Sequence, residues 1–311
     1  MKVVAFAGGV GGAKLADGLA RCLPPQELTL VVNTGDDFLH FGLKVCPDLD
    51  TVCYTLAGLA NPETGWGRAG ETWNTLRALE ALGAPIWFQL GDQDLATHLE
   101  RTRRLGEGET LSEVTSYFCS RWGIALRVLP MSDDAVQTIV ETDIGDLSFQ
   151  EYFVKYRFEP GVRGFRFEGA AQAAPAPGVL EAISACDVVI FCPSNPWVSI
   201  DPILAVPGIR QALLRAKVVA VSPIVGGKAL KGPAAKMFAE IGIPPSAQAV
   251  ARHYGSLLKG FVFDRLDAEE EAEIRSLGLR TLVTDTVMQT ISDRQRLAQE
   301  ILTFVQREFL P

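Results

Sequence analysis

A short apolar run followed at once by glycines is the feature that most limits how this chain can fold. Val3–Ala7 is apolar throughout, as expected of a strand buried on both faces, and the glycine-rich turn Gly8–Gly12 follows it directly. A helical spacing of leucines comes next, and Leu28–Val32 repeats the buried-strand pattern. Strand, helix and strand in this order predict a βαβ unit within a parallel sheet that carries helices on both faces.

The glycine-rich turn predicts a phosphate-binding site at the start of the first helix. Glycine allows close approach of the backbone to phosphate oxygens, and a helix N-terminus offers unpaired N–H groups with partial positive charge. The turn matches neither a P-loop nor a regular dinucleotide fingerprint, and a purely structural role would also suit it. The candidate phosphate contacts are Gly8, Gly9, Gly11, Gly12 and Lys14.

Four more apolar segments also end in polar, turn-forming residues, in the runs NTGDD, GDQD, PSNP and SPIVGG. In open α/β sheets, ligands bind in the crevice outside the carboxyl ends of the strands. We therefore predict an α/β fold with a doubly wound, mostly parallel, Rossmann-like sheet and an inserted smaller antiparallel and helical substructure. We expect one catalytic domain over residues 1–311, with the insertion at about 105–170.

The remaining elements are predicted from apolar periodicity. The strands are expected at 86–90, 187–192, 217–221, 261–264 and 280–284, with short alternating segments between 125 and 168. The helices are expected at 50–59, 70–82, 95–104, 110–122 and 292–309.

Four carboxylates lie within fifteen residues after the second strand, in NTGDD and PDLDT. Mg²⁺ is usually held by one or two carboxylates plus substrate phosphates, and adjacent acids beside an anion site are otherwise repulsive. Asp36 and Asp50 are the candidate magnesium ligands and catalytic residues, and Asn33 and Thr34 are candidate nucleotide contacts. Asp48 or Asp50 could instead cap the helix that begins near residue 51.

The GDQD run and the apolar segment before it supply further candidates. Asp92 and His98 are predicted ligand contacts, although an isolated histidine is often structural. Asp94 is well placed to cap the next helix. Gln89 is polar within an apolar run and could point into the crevice.

Side chains that could recognise a base or a flat ring lie elsewhere in the chain. Ser194 and Asn195 could bind a base or a phosphate, or could form an ordinary turn. Trp66 and Trp73 could stack on a flat ligand, although Trp73 also suits a helix core.

Composition excludes several classes of function. A net charge of −8 provides no broad basic surface for nucleic acid. None of the six cysteines forms a C-x-x-C pair, which favours free thiols over disulfides or zinc. No apolar run is long enough for a membrane span or has the pattern of a signal peptide, so we expect a cytoplasmic protein.

The ordered motifs closely resemble the 2-phospho-L-lactate transferase family of coenzyme F420 biosynthesis, with its phosphoenolpyruvate-using bacterial members. The resemblance extends over essentially the whole chain. The matching motifs are AGGVGGAKLADGL, VVNTGDD, CPDLDTVCYTL, GWGRAGETW, LGDQDLATHL, LPMSDD, FQEYFVKYR, PSNPWVSIDPIL and VAVSPIVGGKALKGPA.

The resemblance implies an Mg²⁺-dependent transfer from a guanylyl-activated three-carbon phospho acid to the deazaflavin Fo, with release of GMP. It implies that Gly8–Gly12 and the Ser194–Asn195 turn bind the guanosine diphosphate portion, and that Asp36 and Asp50 hold Mg²⁺. Fo would lie near Asp50, the 61–73 segment and Gln89. It also implies a homodimer with small-molecule partners and no nucleic-acid or membrane partner.

One position departs from the family pattern, and two alternative functions stay open. Family members often carry arginine where this chain has Gln93, so Gln93 would weaken the mechanism, move the charge-neutralising role to Lys14 or another base, or shift the donor preference. A non-catalytic, nucleotide-sugar-binding regulator of the gluconeogenesis-factor type shares the glycine turn, but its typical DDGGSSGR-like run is replaced here by Asp36-Asp37-Phe38-Leu39. The third possibility, a dinucleotide-dependent oxidoreductase, is disfavoured because the glycines of the turn do not have the regular spacing of that class.

Overall fold

The structure, a computed structural model, describes residues 1–310. Its strands are β1 Val3–Ala7, β2 Leu28–Val32, β3 Phe38–His40, β4 Leu43–Val45, β5 Arg127–Pro130, β6 Gln137–Thr142, β7 Gly145–Ser148, β8 Val162–Glu168, β9 Val188–Phe191, β10 Val218–Val221, β11 Ile224–Val225, β12 Lys228–Ala229, β13 Gly260–Asp264 and β14 Arg280–Thr284. Its α-helices are α1 Gly9–Cys22, α2 Pro47–Leu56, α3 Asn74–Ala81, α4 Asp92–Gly106, α5 Leu111–Arg121, α6 Val179–Ala185, α7 Asp201–Ala205, α8 Ile209–Leu213, α9 Ala234–Glu240, α10 Ala247–Tyr254, α11 Glu271–Ser276 and α12 Ile291–Phe309.

A seven-stranded parallel sheet forms the centre of the described chain, in the order β14-β13-β10-β9-β1-β2-β5. The central strands are buried along their whole length because helices cover both faces, which explains their uninterrupted apolar runs. From β1 the chain adds β2 and then β5 on one side of the sheet, and it later adds β9, β10, β13 and β14 on the other side of β1. The order therefore reverses between β1 and β9, and the predicted α/β fold class is confirmed.

Each face of the sheet has its own apolar core. On one face α1, α2 and α12 pack together, with Leu15, Val52 and Ile301 among the fully buried side chains. The other face is covered by α6 to α11, where Ile183 and Phe238 are also fully buried. The two layers fix the sheet from both sides, so the loops at the carboxyl ends of the strands stand on a rigid base.

Smaller antiparallel sheets lie outside the central one. β6 pairs with β7 and β8, β3 with β4, and β11 with β12. The three-stranded sheet carries a short helical turn at Glu151–Lys155, and Val140, Phe149 and Tyr152 bury its inner face. The antiparallel texture predicted within 125–168 therefore begins only at β6, because Arg127–Pro130 joins the central sheet beside β2.

The prediction of a strand at 86–90 was wrong. These residues form no strand, and the aromatic rings of Trp87 and Phe88 pack against Phe38 of the β3–β4 hairpin instead. A short apolar run does not distinguish ladder pairing from aromatic packing. The prediction that Asp94 caps a helix was also wrong, because α4 begins at Asp92 with Gly91 as its N-cap.

Candidate active site

The glycine-rich turn lies at the reversal point of the sheet, where β1 and β9 end side by side. The Ser194 hydroxyl donates to the Gly8 carbonyl at 2.9 Å and accepts from the Gly8 N–H at 3.2 Å. The Gly9 N–H donates to Asp48 Oδ1 at 2.6 Å. Of the first N–H groups of α1, those of Val10 and Gly11 have no acceptor within the described chain and so remain available to a phosphate.

The glycines of this turn serve packing as well as access to the backbone. A Cβ at Gly11 would meet the carbonyl oxygen of Pro193, and one at Gly12 would approach Ser194 Oγ to 2.5 Å. At Gly8 a Cβ would lie 2.5 Å from Asp48 Oδ2. Only Gly9 combines a positive φ of 63° with open space. The close approach of α1 to the PSNP turn therefore accounts for Gly11 and Gly12, and the contact with Asp48 accounts for Gly8.

Lys14 lies on the second turn of α1, and its Nζ donates to the carbonyl oxygen of Met288 at 2.6 Å. Burial, with added repulsion from Lys231 and Arg294, lowers the pKa of Lys14 below its ordinary value. The residue is half-buried and positively charged surroundings face it, which is compatible with the predicted phosphate contact.

Asn33, at the end of β2, joins the acidic residues of two loops. Its side-chain amide nitrogen donates to Asp36 Oδ1 at 3.0 Å and to Asp48 Oδ2 at 2.9 Å. The same nitrogen lies 3.1 Å from the Val198 carbonyl oxygen, and its own amide oxygen accepts from the Gly35 N–H. Asp36 and Asp48 therefore share one neutral donor, and the second oxygen of Asp36 accepts from Gln150 at 2.9 Å.

Three buried carboxylates crowd this end of the sheet. Burial, then the charges of Asp48 and Asp37, raises the pKa of Asp36 well above its ordinary value. Burial also raises the pKa of Asp48 to about 6, against the hydrogen bonds from Asn33 and Gly9. The pKa of Asp37 is raised by burial although Lys44 pairs with it at 3.2 Å. Within residues 1–310 no cation pairs with Asp36 or Asp48, so a bound cation would relieve their repulsion.

Asp50 lies in a neighbouring buried cluster, two residues after Asp48 on α2. Both its oxygens accept from the Arg101 guanidinium, one of them at 3.1 Å. Arg101 also donates to His98 Nδ1 at 3.1 Å, which assigns the neutral Nε2–H tautomer to that ring because arginine can only donate. His98 is 1% exposed, and its polar neighbours are Arg101, Asp94 and Asp50.

Asp92 caps a helix. It accepts from the backbone N–H groups of Asn74 and Thr75, both at 3.0 Å, and from the Thr72 hydroxyl, which together lower its pKa. In the same way, Glu71, which precedes α3, caps the start of α4 by accepting from the N–H groups of Gln93 and Asp94. This exchange of caps ties α3 to α4.

The other predicted contacts are distributed around the same end of the molecule. Gln89 is exposed, and Gln93 donates to the Gly70 carbonyl oxygen at 2.9 Å. Asn195 caps the turn at Pro196–Ile200 by accepting from the Trp197 N–H. Thr34 is buried, with a hydroxyl oxygen that has no partner among residues 1–310.

Several residues that build the site were missed at the sequence level. Gln150 lies in the FQEYFVKYR motif, which gave the only signal for its contact with Asp36. Lys44 and Arg101 lie on a hairpin and a helix whose sequence gives no sign that they face carboxylates. Asp48 was one of the four carboxylates noted in the sequence and a possible helix cap, but its link between the turn of α1 and Asn33 had no sequence signal.

The donor set fits a hard divalent cation held partly by substrate. In residues 1–310 no three His, Cys, Asp or Glu side chains stand close enough together to form a complete metal site. Mg²⁺ needs fewer, because it commonly takes one or two carboxylates and completes its shell with phosphates and water. Asp36 and Asp48 offer carboxylate oxygens, and each Asp50 oxygen keeps a second lone pair beside its bond to Arg101.

Within residues 1–310 no helix combines the length and apolar character needed to cross a membrane.

Comparison with known proteins identifies the family. The model of the family described as 2-phospho-L-lactate transferase CofD matches residues 3–310. A phosphoenolpyruvate transferase of Streptomyces griseus subsp. griseus is 49% identical over 311 residues, covering 97% of this chain and 98% of the relative. Phosphoenolpyruvate transferases of Streptomyces coelicolor (98% of each chain) and Thermobifida fusca (90% of this chain, 92% of the relative) are 46% and 47% identical.

A solved structure shares the fold at low sequence similarity. A UPF0052 family protein from Bacillus halodurans superposes with a TM-score of 0.64 at 18% identity, over 97% of this chain and 98% of that one. At this identity the match supports the architecture alone.

Proposed function

Because the chain belongs to the family described as 2-phospho-L-lactate transferase CofD, we propose that it transfers a phosphoenolpyruvyl or 2-phospholactyl group to the deazaflavin Fo in coenzyme F420 biosynthesis. The donor is the guanosine-diphosphate-activated acid, and GMP leaves. The names of the bacterial relatives favour the enolpyruvyl donor. The proposal includes Mg²⁺ as cofactor, a cytoplasmic location and a homodimer.

The observation that supports the proposal most is that the N-terminus of α1, which can bind an anion, lies beside the buried carboxylates, at the point where the strand order reverses between β1 and β9. Two unpaired N–H groups of α1, at Val10 and Gly11, stand beside Asp48, whose carboxylate reaches both the turn of α1 and Asn33. A diphosphate at the helix would therefore lie next to Asp36 and Asp48. Phosphoryl transfer depends chiefly on such positioning and charge neutralisation.

In the proposed reaction the ribityl hydroxyl oxygen of Fo forms a bond to the phosphorus that carries the three-carbon acid. The bond from that phosphorus to the bridging oxygen breaks, and GMP leaves with the electron pair. The hydroxyl proton passes to water or to a neighbouring carboxylate. Atoms balance in a new phosphodiester plus GMP.

The chain's own residues divide the work between binding and alignment. Gly8–Gly12, with Ser194 and Asn195, would bind the guanosine diphosphate portion, and Lys14 would add positive charge from the second turn of α1. Asn33 orients Asp36 and Asp48 through its two N–H bonds.

Asp36 and Asp50 would hold Mg²⁺ together with the substrate phosphates, and Asp48, which shares the Asn33 amide with Asp36, is a further candidate ligand. When bound, the ion supplies charge neutralisation for the diphosphate. Burial, with a smaller contribution from neighbouring carboxylates, raises the pKa values of Asp36 and Asp48, and a cation bound beside them would favour their ionised forms.

The deazaflavin is proposed to lie beside the 61–73 segment and Gln89. Trp66 is 49% exposed and Trp73 is 36% exposed, so both rings can receive a flat ligand. Gln93 is held by Gly70 at the edge of the same region and carries no charge. Charge neutralisation in the transition state is therefore assigned to Mg²⁺ and Lys14.

The test is incubation of the protein with Fo, Mg²⁺ and each activated donor, followed by mass spectrometry of the deazaflavin. We expect one product per turnover with an equal amount of GMP, faster formation from the enolpyruvyl donor, and loss of turnover in EDTA that Mg²⁺ restores. Absence of product from either donor, together with tight binding of a UDP-sugar, would replace the transferase by the nucleotide-sugar-binding regulator.

A further inference from the structure

Arg101 is a buried cation that no role described so far requires. It lies on α4, is 2% exposed, and both of its terminal nitrogens bond to the two oxygens of Asp50. Paired bonds of this kind fix the plane of a carboxylate as well as its position. Arg101 is therefore in a position to determine the orientation of the Asp50 carboxylate.

The orientation of Arg101 is itself fixed from several sides. One terminal nitrogen also contacts the Lys44 carbonyl oxygen at 3.3 Å and His98 Nδ1 at 3.1 Å. The guanidinium carbon lies 5.7 Å from the centre of the Phe118 ring on α5. Contacts from β4, α4 and α5 leave the guanidinium little freedom.

His98 completes the support from the side facing away from Arg101. Its Nε2 lies 3.4 Å from Asp94 Oδ1, and Asp94 accepts from the Tyr54 hydroxyl at 2.7 Å. Tyr54 belongs to α2, the helix that carries Asp50. The contacts therefore lead from α2 to α4 and back to α2, and they fix the position of these two helices relative to each other.

From this geometry we propose that Arg101 is a positioning residue, which holds the Asp50 carboxylate in the orientation that the transfer reaction and Mg²⁺ binding need. The inference rests on the proposed function of Asp50. A purely structural ion pair between α2 and α4 would stabilise the fold without affecting either property.

The conservative variant Arg101→Lys keeps the charge and removes the paired bonds to Asp50. We expect kcat to fall about 10–100-fold with an unchanged KM for the donor, and Mg²⁺ affinity of the GDP-loaded protein, measured by calorimetry, to fall by a similar factor. Arg104→Lys is the matched control, because Arg104 lies one turn further along α4, donates to both oxygens of one carboxylate, Glu109, from a single terminal nitrogen, and stacks over the Tyr117 ring. For this control we expect a lowered unfolding temperature and kinetics within about twofold of wild type.

A double variant separates action through Asp50 from an independent effect, and it leaves no unpaired buried charge. If Arg101 acts through Asp50, Asp50→Asn/Arg101→Gln has the same kcat and Mg²⁺ affinity as Asp50→Asn alone. The inference would be overturned if the losses of the two single changes multiply in the double variant. It would also be overturned if the kcat and Mg²⁺ affinity of Arg101→Lys both match wild type. Wild-type protein that makes no product would instead contradict the proposed function, and the calorimetric comparison would still decide the role of Arg101.

Discussion

At the scale of single residues, Asn33 is the side chain that connects the two acidic loops of the site. One amide group donates to two buried carboxylates and accepts from the Gly35 N–H. Hydrogen bonds to charged groups contribute about 1.5–3 kcal/mol each, and a buried acceptor that loses its donor is costly.

Replacing Asn33 by leucine, which has similar size, should therefore destabilise the protein by about 3 kcal/mol in urea unfolding. Asn195→Ala, which removes the cap at Trp197 and the weak amide contact with Met237 Sδ, should cost about 1 kcal/mol. Equal losses in the two variants would show that Asn33 is not the connecting residue.

The raised pKa values give a pH dependence whose sign is fixed. Asp48 titrates at about 6 in the folded chain, against an ordinary value of 3.8, and the pKa of Asp36 is shifted in the same direction. The folded state therefore binds more protons between these values, so these groups make the Mg²⁺-free chain less stable as pH rises from 4 to 6. Urea midpoints measured in EDTA should decline less over this range in Asp48→Asn than in wild type, and parallel curves would refute the assignment.

At the scale of elements, the exchange of caps between α3 and α4 explains why a predicted ligand contact has another use. Asp92 closes the start of α3 while Glu71 closes the start of α4. Since no residue of α3 is buried, its stability depends on such end contacts more than on packing.

Asp92→Ala should lower the unfolding temperature slightly and speed amide hydrogen exchange throughout α3. Gln89→Ala is the control, because Gln89 is exposed and outside any helix. Unchanged exchange in α3 would mean that Asp92 contributes nothing to holding the helix.

Sequence periodicity predicted the buried strands best and the aromatic segment worst. β1 and β2 match their predicted limits because nearly continuous apolar runs between turn signals have one good solution in a covered parallel sheet, and the edge strand β14 matches its limits too. Ile86–Leu90 has the same apolar character but packs its rings against the β3–β4 hairpin. Which of these occurs depends on a neighbour distant in sequence, and periodicity carries no information about it.

At the scale of the whole molecule, strand order explains how far the site could be predicted. The polar ends of β1, β2 and β9 were expected to meet because parallel strands share an edge, and Asn33, Asp36 and Ser194 lie there as expected. Partners that reach the site from α4, β4 and the turn after β7 have no local signature. Arg101, Lys44 and Gln150 therefore emerged only from the three-dimensional arrangement.

The most direct test of the account compares GDP binding and turnover in wild type, Asp36→Asn and Asp50→Asn. With Fo, Mg²⁺ and the enolpyruvyl donor, wild type should form the coupled deazaflavin and GMP in equal amounts. Both variants should bind GDP within a few-fold of wild type, yet lose more than about 100-fold in kcat, because charge neutralisation is the larger part of phosphoryl transfer. Near-normal turnover in either variant would contradict the assignment of the acidic cluster as the centre of the reaction.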